Sequence, residues 1–83
     1  MSLEKTKDAL KKKNITYTVA EEDGCESLDF LFRGLSYHIW EFQDGEIRGA
    51  ETNLYTAGRS EDLEGDYDTE MAKEILAWPD MLC

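Results

Sequence analysis

His38 is the only histidine in a chain of 83 residues, and it is the one side chain whose charge changes near neutrality by default. Acid–base or metal chemistry in this protein would therefore gather around it. The strand pattern set out below predicts Asp29 and Glu51 on either side of it, with Ser27 on the same sheet face. A Ser27/His38/Asp29 hydrolase needs the serine within reach of the imidazole and an oxyanion hole beside it, and the register supplies neither. Asp29, His38 and Glu51 could in geometry hold a cation, but transition metals ordinarily take a second imidazole. What remains is a cross-strand row of charges, worth little where it is exposed. The expectation is a protein with no catalytic residue and no cofactor, in which Asp29, His38 and Glu51 are the only candidate metal ligands.

Asp62, Glu64, Asp66, Asp68 and Glu70 alternate along the chain, as acids do in calcium loops. The EF-hand pattern fails, because the sixth position, which must be glycine, falls on Tyr67. The run reads instead as solvated acids that also suit the start of a helix. Nineteen acids against nine Lys and Arg give a formal net charge of −10. The first fourteen residues hold five of those nine cations, in Lys5, Lys7 and Lys11-Lys12-Lys13, the last three suited to a helix C-terminus. A direct nucleic-acid ligand is excluded, because a polyanion needs a basic surface to release its counterions. No run is long enough to cross a bilayer, and the N-terminus lacks the order of a signal peptide. Cys25 and Cys83 are too few for a disulfide framework, which points to a reducing cytoplasm, and Cys83 does not form a prenylation box.

These residues must be positioned by strands, and the strands are organised around Leu28 to Phe42. Arg33-Gly34 interrupts two apolar runs and predicts a two-residue hairpin loop. Phe32 then faces Leu35, Phe30 faces Tyr37 and Leu28 faces Ile39, so one side of the ribbon is apolar throughout. A one-residue slip would break all three pairs. A four-residue loop Glu22-Asp23-Gly24-Cys25 sets Val19 against Leu28, Tyr17 against Phe30 and Ile15 against Phe32. A second two-residue turn, Asp44-Gly45, sets Glu41 against Arg48, Ile39 against Ala50, Trp40 against Gly49, Phe42 against Ile47 and His38 against Glu51. The result is an antiparallel meander of four strands, in the order 1-2-3-4.

A first helix runs from a cap at Ser2 to about Asn14 on a stripe of Leu3, Ala9 and Leu10, although Met1-Ser2-Leu3 also reads as an added leader. A second, capped by Asp66 or Asp68, runs to Trp78 ahead of Pro79, with Tyr67, Met71, Ile75 and Trp78 at helical spacing. Between them, residues 52–66 show no clear period. They read as a long loop with a helical turn around Ser60 to Leu63, and Asn53 and Arg59 stand out in it as residues of functional interest. The expected fold is one small α+β domain over residues 1–83, α-β-β-β-β-α, with both helices on one sheet face.

Two helices cover one face of such a sheet and not two. Leu31, Trp40, Phe42 and Ile47 are left on the second face, with Trp40 lying over Gly49, unless the 52–66 loop folds across them. The reading is a cytoplasmic, non-enzymatic interaction or regulatory module that binds itself, as a homodimer, or another protein through that face. An acidic mimic of nucleic acid, inhibiting a DNA- or RNA-binding protein, is the alternative. A metal-binding domain is a weaker one.

Overall fold

Asp23-Gly24 and Arg33-Gly34 both place two consecutive residues at positive φ, 53° and 79° in the first and 56° and 79° in the second. That is the signature of a primed turn, whose twist matches that of the strands it joins. In the computed structural model, which describes residues 3–56 and 58–79, these turns join β1 (Tyr17–Glu22), β2 (Cys25–Phe32) and β3 (Leu35–Asp44). Phe32 faces Leu35, Phe30 faces Tyr37 and Leu28 faces Ile39, as the apolar alternation requires. Val19 and Tyr17 face Leu28 and Phe30 through a loop of two residues and not four, since Glu22 and Cys25 are already paired. Ile15 is buried but precedes β1, so the expected pair with Phe32 does not form in the ladder.

The next hairpin departs from expectation by two residues. Gly45 takes a φ of 63° at the first loop position, so the turn is Gly45-Glu46 and Asp44 pairs with Ile47 at the start of β4 (Ile47–Thr56). Glu41 therefore faces Ala50, Ile39 faces Thr52, Trp40 faces Glu51 and Phe42 faces Gly49. A shift of two leaves every side chain on its own face, so alternation alone could not choose between the two turns. The ring that covers Gly49 belongs to Phe42 and not to Trp40. A Cβ at Gly49 would lie 2.8 Å from Phe42 Cζ and would collide with the Leu63 carbonyl.

The sheet has five strands in the order β1-β2-β3-β4-β5, not four. Residues expected in a loop extend β4 to Thr56 and form β5 (Arg59–Glu64), and the helical turn expected near Ser60 is part of that strand. A register irregularity between Thr52 and Thr56 breaks the alternation there, leaving Thr52, Asn53 and Leu54 all buried. At the edge, β5 half-buries only Glu61 and Leu63, which is too little apolar surface to mark a strand.

Helix α1 (Glu4–Lys12) and helix α2 (Tyr67–Ala77) lie together over one face of the sheet. Leu3 stands at the N-cap position of α1 and is fully buried; Ser2 lies outside the described residues. Asn14 adopts a φ of 58°, the left-handed conformation expected where the helix stops. Asp66 occupies the N-cap position of α2 without a side-chain cap bond, and Asp68 serves α1 instead. Trp78 is extended, as a residue before proline must be. Ala9, Leu10, Met71 and Ile75 pack on Leu28, Phe30, Phe32 and Ile39, and Trp78 stacks on Phe32 with centroids 4.7 Å apart.

Candidate functional site

The pleat sends Asp29 and Leu31 of β2, His38, Trp40 and Phe42 of β3, and Ile47 and Glu51 of β4 to the face that carries no helix. Residues 52–56 and 59–64 do not cross this face, because as strands they extend the sheet sideways. Leu31 is 67% exposed, Ile47 50% and Trp40 42%, while Phe42 is half-buried across Gly49. Val19 and Leu35 are exposed as well, but the register puts them on the helix side. An open cleft of about 520 Å³ adjoins the second face beside Leu31, between Thr16 to Thr18 at the sheet edge and Asp29 and Ser36.

His38 sits in this face as a bonded group. Its ring stacks on Trp40 with centroids 4.2 Å apart, and the Trp40 indole N–H donates to Asp29 Oδ1 at 3.3 Å. Ser60 Oγ lies 3.0 Å from His38 Nε2, and Glu51 Oε2 lies 3.8 Å from the same nitrogen. Asp29 is opposite His38 as expected, whereas Glu51 reaches it diagonally from its place opposite Trp40. The hydroxyl beside the imidazole is that of Ser60, which the missed strand concealed, and Ser27 faces Trp40 instead. In a hydrolytic triad the serine and the acid bind different ring nitrogens, but here both approach Nε2. Among the described residues no group of three His, Cys, Asp or Glu side chains gathers to hold a metal ion.

Asn53 and Arg59 belong to strands β4 and β5, not to a loop. Asn53 repairs the ladder where the register shifts: its Oδ1 accepts from the His38 backbone N–H at 2.9 Å, and its Nδ2 donates to the Ser36 carbonyl at 3.0 Å. Thr52 Oγ1 donates to the His38 carbonyl at 2.7 Å. Both backbone groups of His38 are thus held by side chains of β4, which fixes the imidazole on the open face.

The helix side carries the strongest electrostatics. Glu41 is buried and accepts from the Tyr67 hydroxyl at 2.6 Å and from the Glu26 N–H at 2.9 Å. Burial, and then the bond to Glu41, push the Tyr67 phenol up to about 12. Hydrogen bonding with Tyr67 and attraction by Glu41 hold Arg48 above its ordinary value. Burial pushes the Glu26 carboxyl up, but the Leu3 N–H at 2.8 Å and Lys7 Nζ at 2.9 Å outweigh it and hold it below the usual range. Through Glu26, Lys7, Tyr67 and Glu41 these bonds fasten the helices to the sheet.

No protein-family model, curated protein or solved structure matches the chain at a significant level. No helix among the described residues is long and apolar enough to cross a membrane.

Proposed function

We propose that this protein is a non-enzymatic interaction or regulatory module that binds a polypeptide through the helix-free sheet face. The observation that carries the reading is Trp40 and Ile47 standing exposed beside Phe42, with Leu31 exposed further along β2, on a sheet face that no helix or strand among the described residues covers. Exposed apolar groups gathered on one face of a small domain mark partner surfaces more often than single ones do. Trp is also among the residues most often dominant in binding energy. The crowding of Ser60 and Glu51 on one imidazole nitrogen supports a non-catalytic role. A cytoplasmic setting goes with this reading, since Cys25 is a free, half-buried thiol.

The test is to capture partners with the parent and with Trp40→Ser and Ile47→Ser, and to sediment each protein alone. Association, with a second copy or another protein, should fall in both variants while their circular-dichroism spectra stay near that of the parent. Undiminished association in both would reject the face, and unfolding of both would show that it is a second core.

A further inference from the structure

The open face has a charge as well as a shape. Register places Glu22, Asp29, Asp44, Glu51, Asp62 and Glu64 on it, and all but the half-buried Glu51 are exposed. No Lys or Arg shares that face. Six of the nine cations are lysines within α1 and α2 or at the end of α1, Arg33 is in a turn, and Arg48 and Arg59 lie on the helix side by register. The acids also stand in a pattern. Trp40, Glu51 and Asp62 form one cross-strand row, and Phe42, Gly49 and Glu64 form the next. Each row therefore runs from an aromatic ring in the sheet's centre to a carboxylate at the β5 edge.

Resting on the interaction reading above, we infer that the occupant of this face is a basic amphipathic segment of another polypeptide. Its apolar side chains lie on Leu31, Trp40, Phe42 and Ile47, and its Lys or Arg side chains reach Glu51, Asp62 and Glu64. A guanidinium or ammonium over the exposed Trp40 ring meets the quadrupole of the indole and the Glu51 carboxylate at once, which is a pairing suited to Arg. A second copy docked face to face would set six acids against six, and like-charge juxtaposition across an interface is strongly unfavourable. The same acids repel nucleic acid and anionic lipid. The apolar centre separates the reading from plain mimicry of nucleic acid, which uses carboxylates alone.

The probes are three amphipathic helical peptides of the same length and apolar stripe, built on Lys and Leu, Gln and Leu, and Glu and Leu. Each is titrated calorimetrically into the full chain. We expect the Lys-Leu peptide to bind at least about tenfold more tightly than the Gln-Leu peptide and the Glu-Leu peptide not at all, with the advantage shrinking between about 50 and about 500 mM salt. Trp40→Ser, and the double variant Glu51→Lys/Asp62→Lys, should each weaken the Lys-Leu peptide by about tenfold or more. The same charge change off the face, Glu21→Lys/Glu70→Lys, should alter it less than about threefold.

Equal affinity for the Gln-Leu peptide overturns the charge inference and leaves the interaction face standing. Equal weakening by the on-face and off-face reversals overturns it as well, since attraction would then be diffuse. Self-association abolished by Trp40→Ser, with no preference among peptides, makes the occupant a second copy. Loss on charge reversal with none on Trp40→Ser or Ile47→Ser reduces the face to a polyanion mimic. If no peptide binds and no self-association is seen, both this inference and the interaction reading fail.

Discussion

Asp68 and Thr6 bind each other across the two ends of the chain: one carboxylate oxygen accepts the Thr6 backbone N–H at 2.9 Å and the Thr6 hydroxyl at 2.7 Å. The other oxygen accepts the Lys5 N–H at 3.0 Å. These are first-turn amides of α1, which its own N-cap residue, Leu3, has no side-chain acceptor to serve. The second residue of α2 thus caps α1 from 62 positions away, with a negative charge at the positive end of the helix.

Asp68→Ala should therefore destabilise the protein by about 1–3 kcal/mol, because two helix amides lose their acceptor and Thr6 is fully buried. For a domain of this size that is a fall of roughly 4–8 °C in Tm per kcal/mol. Asp68→Asn keeps an acceptor and should lose less. Urea or thermal unfolding curves overlaying those of the parent would contradict the cap.

Gly49→Ala tests the packing beneath the open face. The added methyl meets the Leu63 carbonyl and the Phe42 ring, and only the ring can move. Overpacking of this kind costs roughly 1–3 kcal/mol. Hydrogen exchange should show β5 amides losing protection before those of β2 and β3. Uniform loss across the sheet would place the strain elsewhere.

Tyr67 predicts an alkaline limit. Its phenol is raised from 10.0 to about 12 in the fold, so its contribution is fully present below the unfolded value and is lost as pH rises through the folded one. Each tenfold change in proton affinity is worth ~1.36 kcal/mol, which makes the loss between those two values roughly 2–3 kcal/mol. Tyr67→Phe should flatten that part of the stability profile while lowering stability near neutrality, since Glu41 loses a donor. A variant whose stability still fell in the same window would assign the effect to another group.

Acid should act at Glu26. Its carboxyl is held below the ordinary range, so the stability it contributes is present above the unfolded value and lost as pH falls through the folded one. Lys7, raised chiefly by its hydrogen bond to Glu26, contributes in the opposite sense and loses its share only in strong alkali. Glu26→Gln should remove the acid dependence at this site. Stability followed against pH by urea unfolding checks it, and an unchanged acid limb would refute the assignment.

The register of β1 to β3 was legible because each pairing joins apolar residues across a short turn, as at Phe30 and Tyr37. The next hairpin was legible only to within two residues, since Asp44-Gly45 and Gly45-Glu46 satisfy the same alternation. Strand β5 was not legible: an edge strand of mostly exposed acids carries no apolar period, and the irregularity at Asn53 hides the end of β4. With β5 went Ser60, the hydroxyl beside His38, and the two edge carboxylates of the open face. Leu31, Trp40, Phe42 and Ile47 could be assigned to that face because parity survives a shift of two. The service of Asp68 to α1 had no sequence signal, since capping rules look a few residues ahead and not 62.

The meander has a kinetic consequence. Every strand pairs only with its neighbours along the chain, so the sheet can close hairpin by hairpin at little cost in loop entropy. The docking of α1 on α2 is different, because it joins the two ends and must wait until the strands between them have drawn those ends together. Contacts made after the rate-limiting step leave the rate of folding alone and govern the rate of unfolding. Loosening the helix pair, as Asp68→Ala does, should then raise the rate of unfolding and leave the rate of folding unchanged, which stopped-flow chevron plots of parent and variant would check.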